Sequence, residues 1–171
     1  SPTKEFDNLK MNNLLRHTDS EVRCWLAKAL VFETNSRIAV EYLIRLARDD
    51  SADVRLEALD SLCAFACVDS FSALCAALKD SDILVRSIAA YGIASTGKVI
   101  SPIQATEILN EAVKGECVDR VLVNMYEGLY ILGNKSVITN IFMLISSEDY
   151  HVQAALLHAG DHQSSGCKGR I

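Results

Sequence analysis

A recurring word constrains this chain more than any other feature of it. An acidic, turn-forming residue comes first, then valine, usually with arginine after it, then a helix-favouring run of small and aliphatic residues. The copies read DSEVRCWLAKAL from Asp19, DSADVRLEALDSL from Asp50, DSDILVRSIAAYGIASTG from Asp80, DRVLVNMYEGLYILG from Asp119 and DYHVQAALLHAG from Asp149. The register residue falls at Val22, Val54, Val85, Val121 and Val152, so the steps are 32, 31, 36 and 31 residues. A period of that size accommodates two helices, and such units bury their apolar faces only by stacking on one another. The expected fold is therefore all-α: a right-handed α-solenoid of antiparallel helix pairs, about four to five repeats long. One solenoid domain is expected over residues 1–160, with a polar tail over 161–171.

Composition agrees. Half the residues are hydrophobic, yet 6% are aromatic and two are proline, a mix suited to closely packed helices. The apolar runs are broken by charge well short of the roughly 20 residues that span a bilayer, so no membrane partner is expected. The net charge of −5 is unevenly placed. Residues 1–50 carry eight bases and eight acids, whereas residues 51–161 carry seven bases and fourteen acids. Nucleic-acid binding needs a basic stripe to neutralise phosphates, and this balance speaks against it. An acidic half attracts a basic protein.

Along the chain, residues 3–16 read as an amino-terminal capping helix with Phe6, Leu9, Met11, Leu14 and Leu15 as its stripe. Thr18 and Glu21 form a capping box ahead of a helix that faces inward through Val22, Leu26, Ala29 and Leu30, widened by Trp25. Its partner, roughly 36–48, is buried through Val40, Leu43, Ile44 and Ala47. The next unit faces inward through Val54, Ala58, Leu59 and Leu62, then, after a restart at Asp69-Ser70, through Phe71, Leu74, Cys75 and Leu78. Gly97 is read as the stop of the third repeated helix, and Ser101-Pro102 as the start of its partner, buried through Ile108, Leu109, Ala112 and Val113. The extra residues of the 36-residue step are placed in the 95–102 connection or near Gly115. Leu122 stands where the fourth copy should have its arginine, and the segment 136–146 is apolar nearly all round. Residues 150–159 are expected to cover part of that apolar face.

The words Asp19…Val22-Arg23, Asp50…Val54-Arg55 and Asp82…Val85-Arg86, with weaker copies at Val121 and Val152-Gln153, resemble HEAT repeats of the short bacterial, phycobilisome-lyase-like type. The resemblance covers roughly residues 19–160. It implies that the aspartates and arginines cap helices and link successive repeats, and that the chain is a scaffold without a catalytic site.

No nucleophile has an identifiable base, and the glycines are too scattered for a phosphate loop. Five of the six cysteines are read as small apolar residues within helices, Cys63 and Cys67 on one helix, so no metal or cofactor is expected. His151, His158 and His162, near Cys167, are read as surface histidines. Thiols without a disulfide framework suit a reducing cytoplasm. The expected partner is another protein with a basic surface. It is expected to dock on Glu107, Glu111, Glu116, Asp119 and Asp80, with the second helix of each unit lining the concave face. An acidic protein that neutralises a cationic toxin fits this size and charge. The competing readings are a lyase-like accessory subunit, which needs an accessible reactive cysteine, and a nucleic-acid-binding repeat protein, which the charge disfavours.

Overall fold

The computed structural model describes residues 8–146, and every regular element within that span is helical. The order is α1 (Asn8–Leu15), α2 (Ser20–Leu30), α3 (Ser36–Leu46), α4 (Ala52–Leu62), α5 (Val68–Ala77), α6 (Ile83–Ile100), α7 (Pro102–Gly115), α8 (Asp119–Ile131) and α9 (Ile138–Ile145), with a 3-10 turn over Lys135–Val137 before the last. The fifth repeated word, the histidines near the carboxyl end, Cys167, the 161–171 tail and the first residues of the expected capping helix lie outside the described residues. Short polar side chains set the helix starts. Asp19, Asn35, Asp82 and Ser101 each accept a backbone N–H from the first turn that follows, which satisfies amides that have no partner inside the helix.

The solenoid has two layers. Helices α2, α4, α6 and α8 pack side by side in one of them. In the other, α3 and α5 barely touch and leave grooves between them. Between the layers, α3 packs more closely on α4 than on α2 and α5 more closely on α6 than on α4, so these two units begin one helix earlier than the repeated word; α7 packs comparably on α6 and α8. The closely packed layer of α2, α4, α6 and α8 is termed the inner layer, and α3, α5 and α7 the outer layer.

The core follows the repeat register. Val54, Val85 and Val121 are fully buried, with Ala58, Leu59, Leu62, Leu74, Ala89 and Ile93 between them. Helix α6 is the hub, packing on α4, α5, α7 and α8. It is also the one helix among the described residues long and apolar enough to cross a membrane, and half of it is buried inside the protein.

Four local readings change. Trp25 and Ala29 do not join the buried face of α2; both are exposed, Trp25 at 63%, while Leu26 and Leu30 point inward as expected, together with Arg23 and Ala27. One residue around a helix turns the side chain by about 100°, enough to move it to the opposite face. Helix α6 does not stop at Gly97 but runs on to Ile100, so the 95–102 stretch is mostly helix and a single residue, Ser101, joins α6 to α7. Gly97 is small because α7 crosses it: a Cβ there would stand 2.4 Å from Cβ of Ala105. Cys63 and Cys67 are not on one helix, since Cys63 caps the end of α4 and Cys67 the start of α5.

Candidate functional site

The arginine of each repeated word reaches across to the next unit. Arg23 holds Asp49 through two bonds of 2.7 and 2.8 Å and Asp50 through one of 2.8 Å. Arg55 holds Asp80 through two bonds of 2.8 Å each. Arg86 holds Glu116 at 2.8 and 3.3 Å. The third guanidinium nitrogen of each donates backward to the carbonyls of the turn before its own helix, those of His17, Asp49 and Asp80 respectively. The carboxylates work both ways as well. Asp49 accepts the amide of Ser51, Asp80 that of Asp82, and Glu116 those of Cys117 and Val118. Burial pushes these carboxyls up, but the arginine and amide hydrogen bonds outweigh it and hold all three below the ordinary carboxylate range. The ladder ends at Leu122, which has no guanidinium to offer.

Two of the five acids expected to meet a partner are thus engaged in the frame. Asp80 and Glu116 are nearly buried beneath Arg55 and Arg86. Glu107 and Glu111 are exposed on α7, in the splayed outer layer, and Glu111 is paired with Lys114 at 2.5 Å. Asp119 opens α8 and is half-buried. Three of the five, Asp80, Glu111 and Glu116, line one groove between α5 and α7.

A different acidic neighbourhood lies on the inner layer. Asp53, Glu57 and Asp60 recur along one face of α4, and Lys28 of α2 reaches Glu57 at 3.1 Å. Burial raises the carboxyl of Asp60, and the negative charge of Glu57 raises it further. Burial likewise raises the thiol of Cys24, with Glu57 and Asp53 adding to the effect. Burial raises the phenol of Tyr91 on α6, with the charges of Cys63, Glu127 and Asp60 adding to it. Trp25 lies exposed beside the α4 acids, with the Lys28 ammonium 5.2 Å from its ring centre. The spacing of Asp53, Glu57 and Asp60 at i, i+4 and i+7 is visible in the sequence. A search confined to apolar stripes passes over it.

The outer layer offers grooves. Two adjoining ones, of about 980 and 530 Å³, run between α3 and α5 and share Ile44 and Asp69. A third, of about 670 Å³, lies between α5 and α7 and is floored by Leu78, Ile108 and Ala112. At the end of the described chain, α9 exposes Phe142 and Met143; residues 150–159, expected to cover this face, lie outside the described span.

Two of the thiols, Cys63 and Cys75, are held away from nucleophilic chemistry. Burial pushes the thiol of Cys63 up to about 12 and that of Cys75 up to about 11, away from the thiolate form that reacts. Cys117 is exposed, in the turn between α7 and α8. Among the described residues no three His, Cys, Asp or Glu side chains gather closely enough to hold a metal ion.

A family model of HEAT repeats matches residues 11–94 and again residues 40–129. Among solved structures, the crystal structure of an engineered protein superimposes with a TM-score of 0.54 at 22% identity, covering 91% of this chain and 78% of that one. The complex of CpcE and CpcF of phycocyanin lyase from Nostoc sp. superimposes with a TM-score of 0.49 at 19% identity, covering 87% and 74%. A comparison with curated proteins gave no match.

Proposed function

The chain belongs to the HEAT-repeat family, and from that premise we propose that it is a non-catalytic scaffold whose inner layer docks a protein with a basic surface. The observation that carries this reading is the run of Asp53, Glu57 and Asp60 along one face of α4, with Lys28 paired to Glu57 and Trp25 exposed alongside. Burial and the charge of Glu57 raise the carboxyl of Asp60, and that repulsion is relieved when a cation arrives. An exposed tryptophan supplies the large, rigid contact area that anchors many interfaces. Glu107 on α7 adds to the long-range attraction without belonging to the contact surface. Neutralisation of a cationic toxin, by covering its basic face, is the finer role that this size and a net charge of −5 fit. The cytoplasm is the compartment that suits free thiols at Cys24, Cys63, Cys67, Cys75 and Cys117.

Affinity purification from the native host identifies the partner, and titration across salt concentrations then tests the reading. Binding should weaken steeply as ionic strength rises, and the Asp53→Lys/Asp60→Lys variant should bind at least tenfold more weakly with its fold intact. Binding indifferent to both salt and this double reversal would refute the proposed surface.

A further inference from the structure

Around the α3–α5 groove the outer layer carries the opposite charge, and nothing in the proposed docking of a basic protein uses it. Arg37 and Arg45 stand on the exposed face of α3, Arg48 lies just past its end, and Lys79, just past the end of α5, faces the same groove. Against these four bases the groove walls set two acids outside the arginine ladder, Glu41 and Asp69. Arg45 donates to Asn12 at 3.1 Å and lies over the Tyr42 ring. Arg37, Arg48 and Lys79 form no ion pair among the described residues. The floor beneath them is apolar, made by Val40, Ile44, Phe65, Ala73 and Ala76. Residues 1–50 balance eight bases against eight acids, so the sequence gives no net sign for this region. Folding separates the signs, burying Asp49 under Arg23 and leaving the α3 arginines on the outside.

We propose that the α3–α5 groove is a second docking site and takes an acidic peptide segment bearing apolar side chains. Two adjoining clefts of about 980 and 530 Å³ are long enough together for an extended or helical segment rather than a single side chain. Arginine is suited to the task, since its planar fork binds a carboxylate through two parallel bonds and loses less hydration than an ammonium. Apolar side chains of the segment would cover Ile44 and Phe65, while its carboxylates meet Arg37, Arg48 and Lys79. The site deepens the scaffold reading: a chain that presents acid along α4 and base along the α3–α5 groove can hold two charge-complementary surfaces at once. It rests on that reading only in that the ligand is a protein.

The test is panning of a random 12-residue peptide library against the full chain. The selected peptides should be rich in Asp and Glu interspersed with Leu, Ile or Phe. Their affinity should fall at least tenfold in an Arg37→Glu/Arg48→Glu/Lys79→Glu variant and stay unchanged in Asp53→Lys/Asp60→Lys. These side chains are exposed, so the melting temperature of each variant should match the parent. Four results would overturn the inference: basic or charge-neutral peptides; acidic peptides indifferent to the triple reversal; no enriched peptide at all; or a single-stranded oligonucleotide that binds the same residues more tightly than any peptide. Concentration-dependent self-association abolished by the same reversal would overturn it in favour of a second copy of this chain as the occupant. Peptides that lose affinity only in the Asp53→Lys/Asp60→Lys variant would sink this site and leave the proposed inner-layer function standing.

Discussion

Arg55 holds Asp80 across the boundary between two helix pairs, 25 residues apart in sequence, through two nitrogen–oxygen bonds of 2.8 Å each. The same guanidinium ties down the carbonyls of Asp49 and Asp50 ahead of its own helix, while Asp80 accepts the amide of Asp82. One ion pair thus fixes two turns and the step between neighbouring units. Repeated at Arg23 and Arg86, it sets how successive pairs stack.

Arg55→Met should therefore lower stability by about 3 kcal/mol, because it strands a nearly buried carboxylate and two carbonyls. Lys114→Met, which breaks the fully surface-lying pair with Glu111, should change stability by no more than about 0.5 kcal/mol. Urea unfolding of both variants checks the contrast. Equal effects would mean that the ladder is decoration.

Acid should dissolve the ladder. Asp49, Asp80 and Glu116 have folded-state pKa values below the ordinary range, so in the window between the two values the unfolded chain binds more protons than the folded one. Stability from these groups is fully present above the unfolded carboxylate value of about 4 and is lost as pH falls from there through the folded values. Asp60 works in the opposite sense, since its folded carboxyl is raised and its ionisation disfavours the fold. Asp60→Asn should raise the melting temperature at pH 7 and leave it unchanged at pH 3. Melting curves recorded from pH 7 to pH 2 test both statements, and a flat profile below pH 4 would contradict the ladder's role.

Gly97 and Gly115 should respond differently to the same change. A Cβ at Gly97 meets Ala105 at 2.4 Å, whereas one at Gly115 meets nothing within 4 Å. Gly97→Val should cost roughly 2–3 kcal/mol by forcing α6 and α7 apart. Gly115→Ala should be neutral or stabilising by up to about 1 kcal/mol, because it restricts the unfolded chain. Thermal unfolding of the pair decides whether close crossing, not helix termination, is the reason for glycine at 97.

What was legible in the sequence was whatever repeats locally. The valine register located Val54, Val85 and Val121 in the core, and the same period gave the helices and their approximate starts. What escaped was set by distant partners. Gly97 looks like a stop because glycine commonly follows a last turn, and only the approach of Ala105 gives its true reason. Asp80 and Glu116 look like solvent-facing turn acids until arginines 25 and 30 residues upstream are folded onto them. Trp25 was placed inward by its chemistry, yet Arg23 takes an inward-facing position because Asp49 and Asp50 neutralise it. The acidic face on α4 has no apolar periodicity to mark it, and only the i, i+4, i+7 spacing of Asp53, Glu57 and Asp60 reveals it.

Trp25 supplies the most direct measurement of the central claim. It is the chain's single tryptophan, lies exposed at the edge of the Asp53–Glu57–Asp60 cluster, and is not part of the core. Replaced by 5-fluorotryptophan, it gives one fluorine signal that belongs to this chain alone, whatever the partner contains. On titration with the partner purified from the native host, the account predicts that this signal shifts and broadens in step with binding, and that it loses its response to a soluble paramagnetic quencher. A partner that saturates the chain by calorimetry while the Trp25 signal and its quenching stay unchanged would contradict docking on the inner layer.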